Sequence, residues 1–504
     1  MIRLSVVEER VVLTAVSIVL FMLFGGSALR SPDGMEMLRL TASWLGSSAD
    51  VGDPSFWPPL WSLLNVPAVS LGYDTAGARL LNLLCWGALV WPLHSLACGL
   101  STPRAGRIAV AVYWMVPIFF AHAAVLDARP LGALITTAFF AASVAAVQGR
   151  RGVAVVAVLA AMAPFARPEG ILLPVLTAGV AWMAGRGVAR SVMLAGLSVV
   201  PHAVFRSSLR GLSGHEQLYG AWYTTWSTWD ILSLFGPASV PTEFRRFALA
   251  AVESGKVPGQ PAIDDVVALV ATMPGGVVGA IGIMAGTVGV MGMAAAVRGL
   301  LSMPRDATFW TIAVLVGSPL LIVAITPMAK DQASAAANYL FVVPGLIALL
   351  ATGIDSLRSP RWVAVCFGLL MAEVHLTPLA HEPPYFLEGS EAAALAAQML
   401  VTSGPASGVV GADFSSRDVV FRAGMKVRAI GPIWAGPVPD DVDAIMINSV
   451  GAKGEDGGRT IQLLESPDWR VEWVVGDGDV ALARGERPEM PRPERGWYAL
   501  LRRR

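Results

Sequence analysis

The chain has 504 residues, 55% of them hydrophobic and only 15% charged, with a mean hydropathy of +0.60. A water-soluble domain of that size lacks the polar surface to cover so much apolar side chain, so hydrocarbon is the solvent for most of it. Lys plus Arg and Asp plus Glu balance at 37 each, which leaves no bulk charge for nucleic acid, and Cys85, Cys98 and Cys366 offer neither a disulfide framework nor zinc spacing.

Residues 11–29 are the first apolar run. The run is longer than the apolar core of a signal peptide and no cleavage site follows, so it reads as a retained first span. Next come Ser-Pro-Asp-Gly-Met-Glu (31–36), an amphipathic stretch, and Phe-Trp-Pro-Pro-Leu (56–60). Further runs long enough to cross about 30 Å of hydrocarbon fall near 77–98, 108–125, 130–148, 191–206, 275–297, 309–327, 339–355 and 362–379. The stretch 153–185 is interrupted by Phe-Ala-Arg-Pro-Glu-Gly (165–170) and reads either as one broken helix or as two short spans.

Charge parity decides between these. With two spans, the short connections on one side carry Arg104, Arg107, Arg150, Arg151, Arg186, Arg190, Arg298, Arg305, Arg358 and Arg361. The short connections on the other side carry only Arg129, Arg167 and Lys330. Arginine-rich short loops stay in the cytoplasm. One span over 153–185 would put Arg186 and Arg190 outside and break the pattern. The predicted fold class is therefore an α-helical polytopic membrane protein of about eleven transmembrane helices, N-terminus cytoplasmic and C-terminus outside.

The predicted membrane domain covers 1–379, with outer loops 30–76 and 207–273. Both loops are rich in Trp and Tyr (Trp44, Trp57, Trp61; Tyr219, Trp222, Tyr223, Trp226, Trp229), which favour the headgroup layer and suggest short amphipathic helices on the membrane or simple interface anchors. From 380 to 504 the composition changes. Helical spacing over 391–402, buried-strand patterns at 408–412 and 444–450, and a hairpin over 470–483 around Gly476-Asp477-Gly478 predict a small α/β domain outside the cytoplasm. The chain contains no Walker loop, dinucleotide fingerprint or His-Glu-x-x-His motif.

The charged groups on the outer face carry what chemistry the sequence suggests. Asp127 is paired in sequence with Arg129, Arg167 with Glu169, and Lys330 with Asp331; such pairs near hydrocarbon either neutralise one another or face a cavity. Asp33 and Asp127 end the first and third predicted spans, where one cleft can hold both. A carboxylate there suits group transfer from a phospholipid-type donor, taking the proton of an acceptor hydroxyl or amine as it attacks an anomeric carbon. Asp33 is the candidate base, with Asp127 or Glu36 assisting; Arg129, Arg167 and Lys330 are candidate holders of the leaving phosphate. Trp57, Tyr219, Trp222, Tyr223 and Tyr339 are candidate acceptor- or lipid-binding residues. His122, His202, His375 and His381 fall near predicted outer span ends, but their separation gives no ligand spacing. No metal is assigned, and a divalent cation stays open.

In this order, Ser-Pro-Asp-Gly-Met-Glu (31–36), Trp-Pro-Pro-Leu (57–60), Leu-Gly-Tyr-Asp-Thr-Ala-Gly-Ala-Arg (71–79), Val-Leu-Asp-Ala-Arg-Pro-Leu (125–131) and Ala-Arg-Pro-Glu-Gly (166–170) give the chain its resemblance to the GT-C superfamily of integral membrane glycosyltransferases. Over roughly residues 10–380 it is similar to the protein O-mannosyltransferase and aminoarabinose-transferase branch. The resemblance implies a polyprenyl-phosphate-linked sugar donor, a lipid, glycan or protein acceptor, and an inverting hexosyl- or pentosyltransferase in the plasma membrane acting on the non-cytoplasmic face. It also implies an acidic active-site residue in the first outer loop, matched by Asp33, and a second after the third span, matched by Asp127. Where the family often has Arg-Tyr before a late span, this chain has Asn338-Tyr339, with Lys330 available as a replacement cation; its acids are separated by Gly34 and Met35 where protein O-mannosyltransferases have adjacent ones. Two other function classes fit a polytopic chain: a transporter or flippase of lipid-linked saccharide, for which inverted repeats and mid-membrane charges would be the signs, and a catalytically silent scaffold.

Overall fold

A computed structural model of the chain describes residues 6–24, 29–30, 32–46, 58–209, 281–282, 284–325, 340–357, 359–376 and 390–405, and further on 407–412, 425–429, 442–448, 466–476, 479–482 and 497–504 with a few single positions between them. The helices of the first part are α1 (Val6–Phe24), α2 (Pro32–Trp44), α3 (Pro59–Ser70), α4 (Asp74–Leu100), α5 (Pro103–Met115), α6 (Pro117–Ala124), α7 (Arg129–Val147), α8 (Val153–Ala166), α9 (Leu172–Met183) and α10 (Val188–Leu209). They are followed by α11 (Val290–Ser302), α12 (Ala307–Ile325), α13 (Val343–Asp355), α14 (Pro360–Leu376) and α15 (Ser390–Ser403).

Among the described residues, α4, α7 and residues 188–205 of α10 are each long and apolar enough to cross a bilayer, and α5 with α6 makes a fourth crossing if the bent pair is one span. Helices α8, α9, α11 and α13 are apolar but shorter. The stretch 153–185 is two helices, α8 and α9, separated by a 3-10 turn at Pro168–Ile171 and packed on each other. The apolar run 108–125, in contrast, is not one helix. It breaks at Pro117 with a bend of 61° between α5 and α6, because proline removes an amide donor and pushes the residue before it, Val116, into extended backbone (φ −82°, ψ 108°). The run 275–297 is likewise interrupted, at Gly289 (φ +79°), ahead of α11.

Hydrocarbon gives apolar helices no reason to leave lipid for one another, so close packing has to hold the bundle together. Where α11 meets α13 the backbones nearly touch. A Cβ placed on Gly299 would lie 2.0 Å from the Leu349 carbonyl oxygen, and one on Gly353 would lie 1.9 Å from that of Ala295. Only glycine fits at either point. The outward faces of α8, α9 and α10 expose Val158, Val175, Val192, Leu197 and Val204, as expected of a lipid-facing surface.

An aromatic cluster ties α1 to the bent pair. Phe21 of α1 packs against Tyr113 and Phe120, with ring centroids 5.6 and 4.7 Å away, and Phe119 packs against Trp86 and Tyr113 at 5.3 and 4.6 Å. The Tyr113 hydroxyl donates to the Trp86 carbonyl (2.9 Å) and the Trp114 indole N–H to the Ser17 hydroxyl (2.7 Å). The short α6 is thereby held beside the end of α1.

From residue 390 on, one helix and a six-stranded mixed sheet are described. Its strands are β3 (Val409–Ala412), β4 (Lys426–Ala429), β5 (Ala444–Asn448), β6 (Trp469–Gly476), β7 (Asp479–Leu482) and β8 (Trp497–Arg503), in the order β4-β3-β5-β8-β6-β7. The first three strands are mutually parallel where they pair, and the remaining pairings are antiparallel. Alternation along β5 sends Ala444 and Met446 to the face covered by α15, where Ala396 and Leu400 pack, and Ile445 and Ile447 to the other face with Trp469 and Trp497.

Candidate functional site

Just beyond α1, β1 (Leu29–Arg30) pairs in parallel with β2 (Val125–Leu126), which follows α6; Leu29 lies opposite Val125 and Arg30 opposite Leu126. Strands paired in parallel leave the pair in the same direction. Asp33 therefore follows one strand and Asp127 the other on the same side of the bridge, and each chain then enters a helix, α2 or α7, with a proline in its first turn (Pro32 and Pro130). The two helix N-termini add partial positive charge at that end of the bridge.

Buried hydrogen bonds fix β2 in place. The Trp61 indole N–H donates to Asn82 Oδ1 (3.0 Å), and Asn82 Nδ2 donates to the Val125 carbonyl (2.8 Å). Thr41 and Ser62 hydroxyls converge on the Met37 carbonyl at 2.9 and 3.0 Å, joining α2 to α3. An asparagine inside an apolar helix is costly unless both ends of its amide are used, and here both are. Substituting Asn82 with Leu strands the buried Trp61 N–H and frees the Val125 carbonyl, a loss of about 1–3 kcal/mol for each unmet group. Thermal unfolding in detergent is expected to shift to lower temperature; an unchanged midpoint would show that this network does not hold the bridge.

Asp127 and Arg129 form a buried ion pair, 1% and 7% exposed. Asp127 Oδ1 accepts the Arg129 backbone N–H (2.8 Å), which starts α7, while Oδ2 accepts from Arg129 Nη1. Both oxygens of this carboxylate are thus engaged by one residue, and in low dielectric its charge is balanced locally. The half-buried Arg167, which caps the C-terminal end of α8, lays its stem across α7: a Cβ on Gly132 would sit 2.8 Å from both its Cγ and Cδ. Gly132 is what lets Arg167 lie over the turn following Arg129. His122 of α6 is 3% exposed, lies within the electrostatic reach of both arginines, and its Nδ1 has no hydrogen-bond partner among the described residues.

Of the residues singled out from sequence, the structure brings Asp127, Arg129 and Arg167 together. Asp33 and Glu36 lie in α2, with side chains outside the described set. Trp57, Tyr219, Trp222, Tyr223, Lys330 and Tyr339 lie outside the described residues altogether. Among the described residues no three His, Cys, Asp or Glu side chains converge as metal ligands.

Two residues of this region were not singled out from sequence. For Asn82 the one available signal is a polar residue within an apolar run. Arg39, 1% exposed on α2, interrupts Leu38 and Leu40, and a charge between two apolar residues of an amphipathic stretch is the signal by which it could have been found.

No family model matches the chain, and no curated protein does. Solved structures do. ArnT from Cupriavidus metallidurans bound to undecaprenyl phosphate superposes with a TM-score of 0.54 at 15% identity, covering 98% of each chain. The oligosaccharyltransferase of Archaeoglobus fulgidus in its apo form gives 0.52 at 11% identity, over 95% of this chain and 75% of that one. The arabinofuranosyltransferase AftD from Mycobacteria gives 0.51 at 15% identity, over 99% of this chain and 42% of that one. At such identities the likeness is one of fold, and all three neighbours are GT-C glycosyltransferases. The chain is a membrane protein with the GT-C glycosyltransferase fold.

Proposed function

We propose that the chain is a glycosyltransferase that moves a sugar from a polyprenyl-phosphate donor to a lipid, glycan or protein acceptor on the non-cytoplasmic face of the plasma membrane, with its N-terminus in the cytoplasm. The observation that carries this reading is the β1–β2 bridge, which sets the segments of Asp33 and Asp127 side by side at two helix N-termini, within a GT-C fold. The donor class is supported by ArnT bound to undecaprenyl phosphate and by the Archaeoglobus fulgidus oligosaccharyltransferase in complex with a dolichol-phosphate (TM-score 0.52).

In the proposed step, Asp33 takes the proton of the acceptor hydroxyl or amine as that atom bonds to the anomeric carbon from the face opposite the phosphate. The anomeric C–O bond breaks with inversion, and the electron pair leaves with the polyprenyl phosphate. Arg129, Arg167 and Lys330 hold the charge that develops there. Asp127, with both oxygens on Arg129, serves by aiming that guanidinium. Glu36 assists from the same helix as Asp33, and Trp57, Tyr219, Trp222, Tyr223 and Tyr339 line the acceptor and lipid side. Residues 380–504 are assigned to the non-cytoplasmic side as an acceptor-recognition unit.

The test is turnover. The full chain in nanodiscs, supplied with membrane extract as acceptor and a panel of radiolabelled undecaprenyl-phosphate sugars, is expected to transfer label from at least one donor and release undecaprenyl phosphate. Movement of intact lipid-linked sugar across sealed vesicles, with no glycosylated product, would favour a transporter instead.

A further inference from the structure

Buried polar atoms are normally satisfied, and one that is not points to a partner still to arrive. Two such atoms flank β2 between α6 and α7: His122 Nδ1 and Arg129 Nε, both without a hydrogen-bond partner among the described residues. They belong to elements joined by only the two residues of β2 and by Asp127 and Ala128, His122 preceding the strand and Arg129 following it. Their surroundings select the chemistry of the missing group. Arg129 and Arg167 both act electrostatically on the His122 ring, and the N-terminus of α7 adds positive potential. The Asp127 carboxylate is already committed to the Arg129 amide and Nη1, which leaves Arg129 Nε–H as an unused donor. An imidazole carrying its proton on Nδ1 is a second unused donor; the tautomer follows from the bond it would make. Two donors in a positively charged, water-poor corner call for an anionic oxygen.

We propose that His122 is a donor-binding residue: its Nδ1–H and Arg129 Nε–H hydrogen-bond to the phosphate of the polyprenyl donor. The proposal deepens the glycosyltransferase reading and rests on it. It also gives the corner selectivity, since a neutral polyprenol offers no charge to meet the two donors.

The full chain in nanodiscs should be titrated with undecaprenyl phosphate, undecaprenol and inorganic phosphate, for wild type and for His122→Ala, His122→Asn and His122→Gln. Wild type is expected to prefer undecaprenyl phosphate to undecaprenol. His122→Ala should weaken undecaprenyl phosphate about tenfold to a hundredfold, the range for losing one hydrogen bond to a charged group, and leave undecaprenol unchanged. His122→Asn places an amide N–H close to the lost Nδ1–H and should recover most of the affinity; His122→Gln should not. Wild-type affinity in His122→Ala, or equal losses in Asn and Gln, would overturn the proposal while leaving the donor reading intact. If His122→Ala does not fold, the Asn-against-Gln comparison decides. Absence of any wild-type preference for undecaprenyl phosphate would instead defeat the donor reading itself. Binding of inorganic phosphate alone, lost in the His122 variants, would assign the corner to free phosphate and overturn the lipid-donor proposal.

Discussion

Asp33→Asn is expected to reduce sugar transfer by about 10²–10⁴-fold while the protein still inserts and folds, since removal of a general base commonly costs that much. The substitution keeps the shape of the side chain and removes only its capacity to accept a proton. Asp33 lies in the first turn of α2, where a helix N-terminus favours a carboxylate. Transfer should therefore fall through the turnover step, with donor affinity within a few-fold of wild type, as measured by initial rates against undecaprenyl phosphate binding on the same preparation. Full transfer activity in Asp33→Asn would remove this carboxylate from the mechanism.

The second large effect falls on stability and activity together. Arg129→Met leaves the Asp127 carboxylate buried with no counter-charge, and breaking a buried pair from one side costs about 3–5 kcal/mol. Asp127→Asn combined with Arg129→Met removes both charges, so most of that loss should be recovered. Activity should not return, because the double variant still lacks the guanidinium proposed to hold the phosphate. Thermal midpoints in detergent and transfer rates, measured on the two single variants and the double, separate the contributions. Recovery of both stability and transfer in the double variant would make the pair a packing feature only.

The helical layout of this chain could be read from its sequence because apolar length is a long signal. The predicted runs 77–98, 130–148 and 191–206 fall within one residue of, or inside, α4, α7 and α10. Arginine parity across the connectors separated α8 from α9, a distinction that hydropathy alone does not make. The hairpin around Gly476-Asp477-Gly478 emerged as β6 and β7 because turn chemistry and strand alternation agree there.

What sets up the site was not legible in the same way. The strands β1 and β2 are two residues each, Leu-Arg and Val-Leu, too short to carry any period, and they pair across most of the N-terminal quarter of the chain. Val125 of β2 is tied to the helices by Asn82, whose two hydrogen bonds reach Trp61 and Val125. Likewise the run 108–125 is almost uniformly apolar, and only the single Pro117 turns it into two helices with a 61° bend between them. Asp127 and Arg129 are neighbours along the chain, but that Arg129 engages both Asp127 oxygens follows from the fold of the β2–α7 turn and not from their spacing.

A map of the full chain in nanodiscs with undecaprenyl phosphate bound bears most directly on the whole account. Phosphate density beside the α7 N-terminus, within hydrogen-bonding distance of Arg129 and facing Asp33 across the β1–β2 bridge, is the expected result. Phosphate held at the opposite end of these helices, near Arg104 and Arg107, would contradict it.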